Sequence, residues 1–404
     1  MKAFLKPELV FFFGVFLFSF EPLVSVIYPQ FSFLVSSYIV ALFFIGASGY
    51  ICNFNFKLDY LYFWILLYIS FCIVFSLGYG INLLDSVKTV LYEGKYFLLS
   101  TYFLVFCRNV DFIKCSRFLF IIFAFQLAFS ILQFFNVLGL KSLIIQVAFA
   151  NAHDYYRENL IGGGVFGSFL SKNTLGYFSL FCFIIFSKYK VFKVNYYNFL
   201  VLFSCFTLVL ISESRSAFLF MVLFSFYLSR KDYKVLAILF VPLIILPLFF
   251  VDVAYLPKSI KEIFSQQYYN TVLDVGRGAY IYASILKFLE SPIIGSGAGS
   301  WGLGLAFSDS NEHNQIIYYA GLSIPLGVFQ DNNWLSLLTQ YGAVGLFSFI
   351  FILNQVWLKG KTNNSYVEPV LLICLCYNAL FLAGFSIGVL MFLTLFFNLS
   401  KNNI

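Results

Sequence analysis

The feature that most constrains this chain is a succession of apolar runs, most of them close to the length that crosses a bilayer. A helix needs about 20 predominantly apolar residues to span the hydrocarbon core. In lipid, only helices and closed barrels satisfy their own backbone polar groups. Such runs lie at 9–28, 31–52, 60–79, 91–107, 118–138, 173–187, 198–212, 215–229, 234–251, 333–358, 367–383 and 386–399. They predict an all-α, polytopic membrane protein of about twelve spanning helices, forming a single transmembrane domain over 1–404. Composition excludes a soluble globule. Hydrophobic residues make up 61% and charged residues 11%, where soluble domains carry roughly 25% charged residues. The first run has no small-residue cleavage site and reads as a retained helix rather than a signal peptide.

Lys and Arg gather at alternate connections, as at Arg108–Arg117, Lys188–Lys193 and Arg230–Lys234. By the positive-inside rule these connections and both termini face the cytoplasm. Three segments then face outward: 139–172, the tight turn at Ser212–Arg215, and the long segment 252–332. The net charge of +7 is mostly this cytoplasmic excess, so no nucleic-acid partner is expected. None of the eight cysteines falls in the two long outer segments, which argues against a disulfide framework. Cys374 and Cys376 are too tightly spaced on an apolar helix for a zinc site.

A connection as long as 252–332 is either functional or disordered, and this one is too apolar and aromatic for disorder. It holds Arg277, a turn at Ser291-Pro292, the bend Gly295-Ser296-Gly297-Ala298-Gly299, and the acidic knot Asp309-Ser310-Asn311-Glu312-His313. It closes on Asp331-Asn332-Asn333-Trp334. Apolar residues at 281, 282, 285, 286 and 289 predict a helix over Arg277–Glu290 lying along the membrane surface. That helix would present Arg277 to a cavity.

The segment 139–172 runs through Arg157 into Gly162-Gly163-Gly164-Val165-Phe166-Gly167, then Ser171-Lys172-Asn173-Thr174 at a helix start. Glycines let backbone approach a ligand, and helix-start amides favour an anion. An irregular loop capped by Asn173 or Thr174 fits the same residues. Glu21-Pro22 predicts fraying of the first helix near its outer end. In Ser212-Glu213-Ser214-Arg215-Ser216, the Glu and Arg form either a salt-bridged cap or part of a site. Arg suits a bidentate grip on phosphate, and Arg215 with Arg277 could converge on one pyrophosphate.

Three stretches stand in order: Ser212–Ala217 before an apolar helix; Arg277 followed by Glu290–Trp301; and Asp331–Gly345 with Gln340-Tyr341-Gly342-Ala343-Val344-Gly345. Together they resemble the O-antigen polymerase/ligase superfamily of bacterial inner-membrane proteins, over roughly 157–350. The resemblance implies a GT-C-like helical enzyme whose long periplasmic loop contains short amphipathic helices. It implies metal-independent glycosyl transfer without a cofactor, with undecaprenyl-diphosphate-linked oligosaccharide as donor and acceptor. Membrane lipid and a chain-length regulator of the inner membrane are the expected partners. The ligase branch usually has His where this chain has Asp331, which favours the polymerase branch, while His313 keeps the ligase reading open.

On that basis Arg215, Arg277, Asp331 and His313 are the catalytic candidates. The two arginines would clamp the departing diphosphate, and Asp331, or else His313 or Glu312, would take the acceptor proton. Arg157, Lys172, Glu213, Glu312, Trp301, Asn332 and Trp334 are candidates for substrate contact. Asp331 also reads as a plain helix cap. Trp301, Tyr318, Tyr319 and Trp334 could stack on sugar rings or belong to an interfacial aromatic belt. The rival of another class is a lipid-linked oligosaccharide flippase, against which the late, dominant loop and the absence of visible repeats both count.

Overall fold

Helices form over the apolar runs wherever the computed structural model describes them. It describes 7–42 apart from 29, 32 and 33; isolated positions between 64 and 74; 110–148; and 161–229 apart from 162. It also describes 277–301 apart from 298 and 299, 316–325 apart from 320 and 321, 333–361, 367–378, and a few positions between 390 and 397. The chain divides into two compact units, Met1–Phe31 with Asp111–Tyr268, and Ser32–Val110 with Tyr269–Ile404.

The first unit contains α1 (Pro7–Ile27), α2 (Phe112–Phe134), α3 (Leu140–Ala148), α4 (Lys172–Lys188), α5 (Asn195–Ser212) and α6 (Arg215–Ser229). α1, α2 and α5 are long and apolar enough to cross a membrane. α4 is buried continuously from Thr174 to Phe186 and packs against α2, α5 and α6. A helix apolar all round belongs at the centre of such a bundle, and α4 is the core of this unit.

The expected fraying at Glu21-Pro22 does not occur. α1 continues through both residues to Ile27, and Glu21 is only 2% exposed. Neighbouring helices in a bundle can re-satisfy the backbone that a proline frees, and α2 and α3 pack on α1.

α3 is short and two-faced. Asn136, left-handed at φ 46°, accepts from the amides of Lys141 at 3.0 Å and Ser142 at 3.3 Å and so starts the helix. Lys141, Ile144 and Ile145 turn inward, while Leu143 and Val147 are exposed. This is the pattern of a helix lying at an interface.

The second unit contains α7 (Arg277–Glu290), the strands β1 (Ile316–Tyr319) and β2 (Leu322–Pro325), α8 (Asn333–Lys361) and α9 (Val367–Asn378). The surface helix expected over Arg277–Glu290 forms with those bounds. Ile281, Tyr282, Ile285 and Leu289 are exposed, and Tyr280, Ala283 and Ser284 are buried. α7 packs on α8 and on β2. The two strands form an antiparallel hairpin in register from Ile316 opposite Pro325 to Tyr319 opposite Leu322, a short non-helical element in a helical protein.

α8 is two helices in one. Gly342, at φ 63° and ψ −166°, breaks the helical path after Tyr341. The stretch Trp334–Gln355 is the fourth helix of spanning length and apolarity among the described residues, so the protein is a membrane-embedded helical one. The spans expected at 91–107 and 234–251 lie outside the described residues, and those at 31–52, 60–79, 367–383 and 386–399 do so in part.

Candidate functional site

α5 ends where Glu213 takes a left-handed conformation, φ 57° and ψ 26°, and its amide donates to Leu210 O at 3.0 Å. α6 restarts two residues later at Arg215. Glycine usually occupies such a position because it has no Cβ to clash. Here Glu213 holds it, at a cost of about 1 kcal/mol. The Ser212 hydroxyl donates to Val209 O at 2.8 Å and accepts from the Ser214 amide at 3.4 Å. The Ser214 hydroxyl is buried and has no hydrogen-bond partner among the described residues.

Segment 163–168 lies across this turn. The Val165 amide donates to Ile211 O at 3.0 Å. A Cβ on Gly164 would sit 2.5 Å from Ser212 O, so only glycine permits the approach. From below, Gly176 of α4 is equally close, since a Cβ there would meet Ser214 Cβ at 2.4 Å.

Two buried glutamines of α2, two turns apart, hold the far side of the loop. Gln133 accepts from the Phe166 and Gly167 amides at 3.3 and 3.0 Å and donates to Gly167 O at 3.1 Å. Gln126 accepts from the Ser168 amide at 3.1 Å and donates to its hydroxyl at 2.5 Å. α4 is capped by Ser171, which accepts from Thr174 N at 3.4 Å, rather than by Asn173 or Thr174.

Charge collects at the near side of the loop. The Lys141 ammonium donates to Ile161 O at 2.9 Å and to Gly163 O at 2.5 Å. Burial pushes its pKa down, the Glu213 carboxylate works against that, and Lys172 adds to it. Lys141, Lys172 and Glu213 therefore form one electrostatic cluster, with Arg215 two residues beyond Glu213. Lys172 begins α4 and is half-buried, as are Glu213 and Arg215. Nothing in the sequence reading had singled out Lys141, Gln126 or Gln133.

The second unit contains a contact of similar form. Gly295 and Gly297 have φ of 75° and 93°. Their bend docks on the break in α8: Ser296 N donates to Thr339 O at 3.0 Å and Gly297 N to Gln340 O at 2.8 Å. In return Ala343 N donates to Pro292 O at 2.9 Å and Val344 N to Ile293 O at 3.1 Å. A Cβ on Gly295 would meet Gln340 O at 2.3 Å, and one on Gly342 would meet Ile293 O at 2.4 Å.

Residues 199–350 match the family model described as O-antigen ligase. Over this stretch the chain is similar to the O-antigen polymerase/ligase superfamily. That is a superfamily of membrane enzymes acting on lipid-linked glycans, and the match does not separate polymerase from ligase. No curated protein matches the chain. The Pro-Ile-Ile-Gly-Ser-Gly bend and the Gln-Tyr-Gly entry, separate in sequence, are two halves of one backbone joint.

The remaining candidates divide by placement. Trp301 is 2% exposed, its indole N–H donates to the Ser284 hydroxyl at 2.9 Å, and Tyr280 stacks on it. Trp334 is half-buried, with its indole N–H donating to Cys376 O at 3.0 Å across to α9. Arg277 is the first residue of α7. Arg157, Glu312, His313, Asp331 and Asn332 lie outside the described residues.

Proposed function

We propose that this protein joins undecaprenyl-diphosphate-linked oligosaccharide repeat units into O-antigen or a related surface polysaccharide, at the periplasmic face of the bacterial inner membrane. The observation that carries the reading is the built turn at Ser212–Arg215. A carboxylate and a guanidinium are set by a left-handed break, locked by a glycine loop, inside the stretch that matches the superfamily. An acceptor sugar hydroxyl attacks the anomeric carbon of the donor chain. The bond from that carbon to the carrier diphosphate breaks, and the diphosphate leaves with its lipid. Asp331 takes the hydroxyl proton, with His313 or Glu312 as alternatives. Arg215 and Arg277, with Lys172 and Arg157 in support, offset the charge that develops on the departing phosphate. Transfer of finished polymer to lipid A core is the second reading, favoured by the description of the matching family.

Arg215→Ala and Arg277→Ala are each expected to reduce polymer by a factor on the order of 10²–10³ while membrane insertion is retained. Chain-length ladders from a deletion strain carrying each variant provide the measurement. Normal ladders from either variant refute the clamp. Deletion itself separates the two readings. Single repeat units on lipid A core mean a polymerase, and polymer left on the carrier lipid with none on core means a ligase.

A further inference from the structure

Lys141 does a job that its neighbours do without charge. The amide side chains of Gln133 and Gln126 satisfy the backbone of Phe166, Gly167 and Ser168. Lys141 satisfies the carbonyls of Ile161 and Gly163 at the other end of the same loop. A neutral donor can satisfy loop carbonyls, as Gln133 does for Gly167, without burying an ammonium, which is expensive. The lysine is 6% exposed, on the face of α3 that it shares with Ile144 and Ile145, which cluster with Phe166. What a lysine adds over a glutamine is a positive charge that interacts through space with the Glu213 carboxylate.

We infer that Lys141 is the positioning residue of this site: its ammonium ties down the glycine loop that crosses the Ser212–Arg215 turn, and its charge acts on the Glu213 carboxylate through space. Its catalytic consequence rests on the proposed role of Arg215, whereas the latch itself does not. The charged groups whose fields reach the ammonium are Glu213 and Lys172; Glu21 of α1, which packs against α3, and Arg215 are not among them. Because burial lowers its pKa from the ordinary 10.5, Lys141 loses its proton at a lower pH than an exposed lysine. The latch is charged below that pKa and neutral above it.

The test uses the full chain in detergent or nanodiscs, with hydrogen–deuterium exchange over 161–168 and glycan polymerisation measured in parallel. Lys141→Gln keeps a neutral donor and is expected to keep loop protection while kcat falls about tenfold to a hundredfold at unchanged KM. Lys141→Met is expected to lose both, and Lys141→Arg to restore activity and move the alkaline limb of the pH profile upward. Full activity in Lys141→Gln overturns the role of the charge. Unchanged protection in Lys141→Met overturns the latch. An alkaline limb unmoved by Lys141→Arg also counts against it. If the wild type polymerises nothing, the proposed function falls while the exchange measurement still decides the latch.

Discussion

Both units of this protein join a glycine-rich segment to a break in a helix, and the two joints are built from different materials. In the second unit the break is Gly342, the partner is Gly295, and amides and carbonyls exchange directly in both directions. No ionisable side chain takes part in those bonds. In the first unit the break is Glu213 at φ 57°, the loop is tied by a buried lysine, and the Ser214 hydroxyl is buried without a partner among the described residues. Where only shape is needed, glycine supplies it without strain. Where the chain keeps a carboxylate in a left-handed position and buries an ammonium near it, it accepts strain of the kind that gathers at functional sites. The second joint has what a scaffold requires, and the first carries the strain and charge that the proposed site would use.

The largest effect that could break this assignment is at the scaffold joint. Gly295→Ala and Gly342→Ala each place a Cβ within 2.4 Å of backbone atoms, at φ of 75° and 63°. Backbone cannot move aside as a flexible side chain can, so each is expected to cost about 3 kcal/mol or more. The expected result is protein missing from the membrane fraction, or a steep fall in Tm after extraction. A Gly342→Ala protein with wild-type Tm and no activity would move this joint from scaffold to chemistry.

The second effect is smaller and tests the first joint from beneath. Gly176→Ala drives a methyl into Ser214, whose Cβ lies 2.4 Å from the new atom, and is expected to cost about 1–3 kcal/mol. Ser214→Gly removes the nearest obstacle and leaves the Ser212 hydroxyl 3.0 Å from the new atom. In its background Gly176→Ala is expected to cost less than about 1 kcal/mol, since the better helix propensity of alanine offsets part of the remaining crowding. Tm values for the four proteins of this cycle give the coupling directly. Additive effects would mean that α4 does not bear on the turn through this contact.

Much of this organisation was legible in the sequence, for definite physical reasons. Apolar periodicity placed α7 with its bounds and its exposed row, Ile281, Tyr282, Ile285 and Leu289, because a surface helix must sort its residues by solvent. The turn at 212–215 was legible because two apolar runs meet there with no room for anything longer. Lys141 was not, because one lysine near the start of a short amphipathic helix looks like any interfacial cation until the loop carbonyls are seen around it. Gln126 and Gln133 did leave a signal, as polar residues two turns apart on an apolar span, the usual mark of hydrogen bonding between membrane segments. Trp301 carried an ambiguous signal. An aromatic residue beside a glycine bend suits sugar stacking and core packing equally, and only burial distinguishes them.

The finest test is Glu213→Gly. If Glu213 served only to end α5, glycine would do it better, because a left-handed residue without a Cβ escapes the strain that glutamate carries at φ 57°. The substitution is therefore expected to raise stability by up to about 1 kcal/mol, less the extra freedom glycine gains in the unfolded chain. It also removes the carboxylate that opposes the loss of the Lys141 proton. Without it the lysine pKa falls further, and the alkaline limb of the activity profile moves to lower pH. A protein as stable as the wild type or more so, yet with polymer reduced and that limb shifted, shows that the strain at this break serves the site. If Glu213→Gly keeps full activity and an unshifted profile, the carboxylate is dispensable, and the first joint becomes scaffold like the second.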